Sequence, residues 1–179
     1  MEGLSNALLN HGPVKVFADN FENSESYDQN SKLDIQRISG FKIFKKYRKA
    51  NLVKDFINSN NLRAAFFDHW KSIENISQNI LDFHVTFCLV HSKEINHPKG
   101  TILNKRMVKA LERSKFIIAN SNFTKNLAIK LGVNENKIKV INPGCNYPIE
   151  VQKEYKKQAE EIYNGAFPKI ITIARLEKR

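Results

Sequence analysis

One stretch, residues 115–146, constrains the fold most strongly because its pattern is that of a complete βαβ unit. Phe116 to Ala119 form a short apolar run, typical of a strand buried on both faces of a parallel sheet. Ser121 suits the N-cap of a following helix, and Gly132 suits its end, because glycine adopts the left-handed conformation at least cost. Ile138 to Ile141 supply a second strand. Two strands joined through one helix are parallel, so the sequence predicts an α/β, Rossmann-like parallel sheet with helices on both faces.

The same kind of pattern predicts elements in the rest of the chain. The helix after Ser121 is expected to bury the apolar residues that recur at helical spacing, Phe123, Leu127, Ala128 and Leu131. Further helices are predicted at Met1–Asn10, Gly40–Asn58, Leu103–Leu111 and Glu150–Gly165, further strands at Val14–Ala18, Leu62–Phe67 and Phe83–Leu89 and from Phe167 onward, and a loop at Asp19–Asp34.

Polar residues follow several of these strands at their carboxyl ends, where ligands bind in open parallel sheets. Asn120 and Ser121 lie after one strand, and the segment 143–146 lies after the next. Asp68 and Trp70 follow the strand that ends at Phe67. The Trp70 ring can stack on a sugar or close the core under the next helix, and the core is the safer interpretation.

Composition limits the functions that fit. The 179 residues suffice for one full domain and part of another, and the net charge of +11 favours an anionic partner such as a nucleotide diphosphate, a membrane surface or nucleic acid. No nucleic-acid-binding motif accompanies that charge. Cys88 and Cys145 lack metal-ligand spacing and are interpreted as reduced thiols of a cytosolic protein. Neither a membrane span nor a signal-peptide pattern is present, and His84, His91 and His97 do not form a convincing zinc set.

The run ANSNFTKNLAIKLGVNENKIKVINPGCN resembles the end of the N-terminal domain in retaining GT-B glycosyltransferases of family 4, the group 1 glycosyltransferases. An ordinary Rossmann-like βαβ unit is the alternative interpretation. The segment 11–17, HGPVKVF, resembles the transition that follows the first helix of that family. The family's first strand and glycine turn, which come before that helix, are expected to precede Met1.

The resemblance also implies roles for individual residues. LVHSKEINHPKG resembles the segment in which a histidine faces the acceptor and the reacting sugar, and His91 occupies that position. Arg175 matches an arginine that contacts the donor diphosphate, and a matching lysine would be residue 180. The implied assignment is catalytic His91, acceptor-binding Asp68, Trp70, Glu94, Asn120 and Ser121, donor-phosphate-binding Arg175, and no metal. A nucleotide-diphosphate-sugar is the implied donor substrate, a saccharide or lipid-linked molecule the acceptor, and no cofactor is implied.

This resemblance organises the chain into three parts. Residues 1–148 are predicted to be an acceptor-side domain, 149–166 an interdomain connection, and 167–179 the start of a donor-binding domain. The complete enzyme would transfer a sugar to an acceptor hydroxyl with retention of configuration in the cytoplasm, with peripheral contact at the inner face of a membrane. The 179 residues alone are expected not to turn over, because most of the donor pocket lies outside them.

A second hypothesis comes from the basic segment GFKIFKKYRKANLVKDFIN, residues 40–58. An amphipathic basic helix can lie on an anionic bilayer, so the chain can instead be a noncatalytic module that docks on an anionic membrane or a polyanion. Its apolar stripe is expected to include Phe44, Tyr47, Leu52 and Phe56. A surface helix packed on the sheet with solvated lysines explains the same pattern and is more common. A different Rossmann-like enzyme lacks support, since no G-x-G-x-x-G motif is present.

Overall fold

A computed structural model describes residues 2–144 and 150–171. The chain divides into two compact units, Met1–Pro143 and Gly144–Arg179. The strands and helices of the first unit form the Rossmann-like α/β fold that the sequence predicts, with parallel strands and helices on both faces.

The helices and strands of the first unit alternate along most of its length. In chain order they are α1 (Glu2–Leu8), β1 (Lys15–Asp19), α2 (Ser24–Gln29), β2 (Asp34–Ile38), α3 (Lys42–Ser59), β3 (Ala65–Phe67), α4 (Trp70–Ile73), α5 (Gln78–Phe83), β4 (Thr86–Val90), α6 (Ile102–Glu112), β5 (Phe116–Ala119), α7 (Asn122–Lys130) and β6 (Ile138–Val140). Short 3-10 turns occupy Leu9–His11 and Glu135–Lys137.

The strands pair into two sheets. Strands β3, β4, β5 and β6 form a four-stranded sheet in that order, and β1 pairs with β2 in a separate two-stranded sheet. Every one of these pairings is parallel. The parallel register aligns the carboxyl ends of the four larger-sheet strands along one edge, where the polar residues singled out in the sequence follow them.

The βαβ unit from β5 to β6 forms for the predicted reasons. Ser121 caps α7 by accepting a hydrogen bond from the Thr124 backbone N–H at 3.2 Å, and Gly132 ends it with a left-handed φ of 104°. One detail of the prediction is wrong: Phe123 is exposed, whereas Thr124 and Ala128 are buried. The helix therefore packs through Thr124 and Ala128, with Leu127 and Ile129 partly buried against the core.

The core lies around the four-stranded sheet. Trp70, Ile73, Met107, Leu111 and Ile117 are fully buried in one continuous cluster. Phe87 stacks between Phe66 and Phe116 across three neighbouring strands, with ring centroids 4.6 and 5.4 Å apart. These contacts fix the register of the strands that carry the candidate site.

Arg113 ties α6 to the turn after α4. Its guanidinium donates to the backbone carbonyls of Ile73, Glu74 and Ile76 and, at 3.0 Å, to the Gln78 side chain. These bonds provide a donor to the carbonyls of Glu74 and Ile76 and a second donor to the Ile73 carbonyl, which also accepts from the Ile76 backbone N–H. Arg113 therefore connects α6 to the chain between α4 and α5.

Four predicted features are corrected by the structure. The acidic segment after β1 is not wholly a loop, since it contains α2, and β2 was not predicted at all. Phe83 is the exposed last residue of α5, so β4 begins later, at Thr86. In α3, Phe44 and Tyr47 are exposed, and the buried residues are Ala50 and Ile57. The predicted apolar stripe of α3 is therefore divided: Phe44 and Tyr47 face solvent, whereas Leu52 and Phe56 are half-buried and Phe56 packs against Phe17.

The second unit contains α8 (Lys153–Tyr163), which ends at Asn164 with a left-handed φ of 42°. Its apolar residues Val151, Tyr155 and Ile162 are exposed. Residues 167–171 form no strand, and the rest of the predicted donor-domain strand, with Arg175, lies outside the described residues, as does Cys145. Among the described helices, none is both long and apolar enough to cross a membrane.

Candidate functional site

The candidate site lies at the carboxyl edge of the four-stranded sheet. Asp68 follows β3, His91 follows β4 and Asn120 follows β5, so the parallel pairing brings these three polar positions to one edge. The Asn142 side chain, after β6, donates a hydrogen bond to the Asn120 carbonyl at 3.4 Å. The structure thus confirms that the strand ends meet, while the roles assigned to their side chains remain predictions.

His91 begins a tightly folded loop. Its backbone N–H donates to the Glu94 carboxylate at 2.5 Å, and Ile95, fully buried, anchors the loop in the core. Ser92 has a left-handed φ of 78°, a conformation that is uncommon for residues other than glycine and is often found at functional sites. The His91 side chain is left exposed to solvent on a loop whose backbone is fixed.

Glu94 supports this loop with two of its groups. Besides the carboxylate on the His91 N–H, its backbone carbonyl accepts a hydrogen bond from the Trp70 indole at 2.9 Å. The side chain was predicted to bind acceptor, and the structure places it in contact with the backbone of the predicted catalytic residue. Glu94 therefore positions the loop that carries His91.

Trp70 is fully buried, so its ring is not available to a ligand. The sugar-stacking role predicted for it is wrong, and the alternative, that it closes the core, is correct. Its indole N–H needs a buried acceptor, and the Glu94 carbonyl provides one. This hydrogen bond from Trp70 to Glu94 links the segment after β3 to the loop after β4. Trp70 thereby helps to hold the loop that carries His91.

His69 is a site residue that the sequence patterns did not indicate. It lies between Asp68 and Trp70, is half-buried, and accepts a hydrogen bond at Nδ1 from the Lys71 backbone N–H at 3.0 Å. Burial, followed by the positive charge of Lys71, lowers the pKa of His69. The neutral ring therefore carries its proton on Nε2, which can donate to a ligand. The one sequence feature that could have indicated His69 is its position directly after Asp68, the first polar residue beyond the carboxyl end of β3.

The side chains of Asn120 and Ser121 form hydrogen bonds at the start of α7. The Asn120 Oδ1 accepts from the Thr124 hydroxyl at 2.6 Å, and the Ser121 hydroxyl accepts from the Thr124 N–H. These bonds hold the start of α7 at the site.

Asp68 is exposed, and its carboxylate lies 3.5 Å from the Ser72 hydroxyl.

A groove of about 420 Å³ opens beside His91, between the loop after β4 and α7. Its walls combine cationic, amide and aromatic side chains, namely Lys93 and Asn96 from the loop and Phe123, Asn126 and Lys130 from the helix. A larger cavity of about 570 Å³ lies between α1 and α2 and contains none of the strand-end residues. No strand-end residue lines the groove either, but Ser92 and Lys93, which directly follow His91, do, so the groove lies next to the candidate site.

The site's chemistry is that of hydrogen bonding and charge. Among the described residues, no group of three or more His, Cys, Asp or Glu side chains could hold a metal ion. Cys88 is buried in β4, and this burial raises the pKa of its thiol, which keeps it protonated and unreactive.

Neither a scan of protein-family models nor a search of curated proteins matches this chain.

Proposed function

We propose that the first unit is the acceptor-side domain of a retaining GT-B glycosyltransferase of family 4, which transfers a sugar from a nucleotide-diphosphate-sugar to an acceptor hydroxyl. The observation that carries this proposal is the exposed His91 side chain, held at the carboxyl end of β4 on a loop fixed by Glu94 and Ile95. A groove lined by Ser92 and Lys93, which directly follow His91, provides room for an acceptor.

His91 would bind hydroxyls of the acceptor and of the reacting sugar. An imidazole can donate one hydrogen bond and accept another, which suits a sugar hydroxyl and a proton that moves during transfer. His69, with its donor at Nε2, would assist from the end of β3. The exposed Phe123 ring offers a face on which a sugar ring can stack, and the amides of Asn96 and Asn126 can bind its hydroxyls.

The donor half of the reaction would depend on residues outside this unit. Arg175, the predicted diphosphate contact, lies outside the described residues. In that role a guanidinium binds paired phosphate oxygens and offsets the charge that develops on the leaving diphosphate. The saccharide or lipid-linked acceptor would enter from the side of the groove.

The test uses the protein from the complete open reading frame that encodes this chain. The protein is incubated with UDP-, GDP- and ADP-sugars and candidate acceptors, and both nucleoside diphosphate release and glycosylated product are measured. His91→Ala should lower kcat about 10²-fold or more. Its matched control is His84→Ala, just before the amino end of β4, which should change kcat by less than about twofold.

Two results would overturn the proposal. One is the absence of sugar transfer from every donor by a folded protein. The other is equal activity of the two histidine variants, because that would remove His91 from the reaction. We expect His91→Ala to fold normally, because His91 holds its loop through its backbone N–H and its side chain is exposed. A difference in kcat between the two histidine variants can therefore be assigned to the His91 side chain.

A further inference from the structure

Four large apolar side chains are exposed together at the start of α3. Phe41, Ile43, Phe44 and Tyr47 have exposed fractions of 86%, 71%, 67% and 51%. At 100° per residue, Ile43, Phe44 and Tyr47 fall within about 100° of the helix circumference, and Phe41 is the N-cap just before them. We call these four residues the apolar arc. Contiguous exposed apolar surface of this kind marks an interaction site more often than isolated exposed residues do.

The apolar arc belongs to a helix that is fixed elsewhere along its length. Ala50 and Ile57, in the second half of α3, are buried, and Val53 packs against the core. Near the arc, Lys45 and Lys49 pair with Asp19 at 3.7 and 2.5 Å, and Arg48 donates to the Ser39 carbonyl at 2.8 Å. These contacts hold the helix start against the carboxyl ends of β1 and β2 and leave the arc facing solvent.

The charge around the apolar arc is uniformly positive along the chain. Residues 41–54 contain six lysines and arginines and no acidic residue. Lys46 is exposed on the same turn, with its ammonium 4.7 Å from the centre of the Tyr47 ring. Aromatic and aliphatic side chains combined with lysines match the boundary of an anionic bilayer, where apolar groups enter below the headgroups and cations bind lipid phosphates.

We propose that the apolar arc docks this protein on anionic membranes, with Phe41, Ile43 and Phe44 inserted at the headgroup boundary and Lys46 on the lipid phosphates. This docking does not depend on the proposed glycosyltransferase activity. Neither cavity described above includes a residue of the arc. The surrounding cations complement an anionic lipid surface, and this complementarity favours a bilayer over a second, equally basic copy of the chain.

The first test is cosedimentation of the full chain with phosphatidylcholine vesicles, with and without phosphatidylglycerol. We expect binding only with the anionic lipid, and about a tenfold or greater loss of binding in the variant Phe41→Ser with Phe44→Ser. The matched control is Phe83→Ser with Ile102→Ser, which removes side chains that are 84% and 79% exposed outside the arc. Binding of the control should stay within about twofold of the original chain.

A second variant pair tests the role of charge. Lys46→Glu should weaken binding to anionic vesicles by several-fold, because a basic residue near such a surface contributes about 1 kcal/mol and the reversed charge is repelled. Lys109→Glu, which makes the same change at an exposed position on α6, should have a smaller effect.

A third measurement reports insertion directly. Trp70 is the single tryptophan and is fully buried, so its emission is a constant background. In Phe44→Trp, anionic vesicles should shift the emission to shorter wavelength, whereas Phe83→Trp should show no shift.

Three outcomes would overturn the proposal: no binding to anionic vesicles, equal loss of binding in the arc and control variants, or no emission shift in Phe44→Trp while binding persists. Light scattering after gel filtration adds a fourth. A dimer that Phe41→Ser with Phe44→Ser abolishes, in a protein that does not bind vesicles, would identify the arc as an interface between copies.

Discussion

The two sheets of the first unit differ in what surrounds their strands. In the four-stranded sheet, β4 buries Thr86, Cys88 and Val90 completely, and a continuous apolar cluster packs around it. In the two-stranded sheet, no residue of β1 is fully buried, and Ile38 is the one buried residue of β2. Apolar burial therefore stabilises mainly the larger sheet.

Charged contacts are correspondingly concentrated around the smaller sheet. Lys15 pairs with Asp34 across its two strands at 2.8 Å, Arg37 of β2 pairs with Asp28 at 2.6 Å, and Asp19 of β1 pairs with lysines of α3. The Arg37 guanidinium also lies 5.0 Å from the Phe21 ring centre. Mutations of apolar residues should therefore act mostly on the larger sheet, and changes of pH mostly on the smaller one.

The largest expected effect comes from truncation of a core residue of the larger sheet. Trp70→Ala removes a fully buried ring and its hydrogen bond to the Glu94 carbonyl, and should lower the free energy of unfolding by about 3–5 kcal/mol. Phe17→Ala, in β1, should cost less than half as much, because Phe17 is only partly buried against Phe56. Urea unfolding followed by circular dichroism measures both, and equal losses would contradict the comparison.

An intermediate effect is expected at the partly buried polar connection beside the larger sheet. Arg113→Met removes a donor from the carbonyls of Glu74 and Ile76 and one of the two donors to the Ile73 carbonyl, and should cost about 1–3 kcal/mol of unfolding free energy. The control is Arg106→Met, which removes an ion pair with Glu74 at the surface. Water and salt screen that pair, so a smaller change in the urea midpoint is expected there. A larger change for Arg106 would show that the carbonyl contacts of Arg113 contribute little.

The smallest expected effect is a local loosening of the smaller sheet in acid. Hydrogen bonds from Arg37 lower the pKa of Asp28. Burial raises the pKa of Asp19, but Lys49 and Lys45 outweigh it, so that pKa is also lowered. A carboxyl with a lowered folded pKa stabilises the fold above its unfolded pKa of about 3.9, and this stabilisation is lost as the pH falls below that value.

Hydrogen exchange at pH 6 and pH 3 measures this loosening. Amides of β1 and β2 should lose protection at pH 3 before those of β4 and β5. Asp28→Asn should remove part of the difference, because it already lacks the charge at pH 6, whereas Asp82→Asn, on α5, should leave it unchanged. Simultaneous loss of protection in both sheets would contradict the prediction.

The sequence was most informative where local pattern and tertiary burial agree. The βαβ unit from β5 to β6 was predicted because β5 is a continuous apolar run, its helix has a strong N-cap at Ser121, and Gly132 ends that helix. Alignment of the strand ends at one edge followed from parallel pairing alone. These features depend on residues close together in the chain.

The missed features depend on distant contacts. β2 contains charged and amide residues, and it is a strand because it pairs with β1, which no local pattern indicates. Which residues of α3 are buried is set by which half of the helix meets the core, so the sequence pattern alone did not separate the exposed Phe44 and Tyr47 from the rest of the predicted stripe. The same reason applies to the site: the burial of Trp70 and the contact of Glu94 with the His91 backbone require the folded loop.

The division into two sheets has a consequence for how the protein behaves at high concentration. In the part of the chain that the structure describes, no strand pairs with the outer edge of β1, β2, β3 or β6. Such edges are places where sheets of separate molecules can join and aggregate. Each of these edge strands has only three or five residues, so a foreign strand could form few hydrogen bonds with any of them. The net charge of +11 also keeps molecules apart, and concentrated salt, which screens that repulsion, should therefore be the condition under which the protein first precipitates.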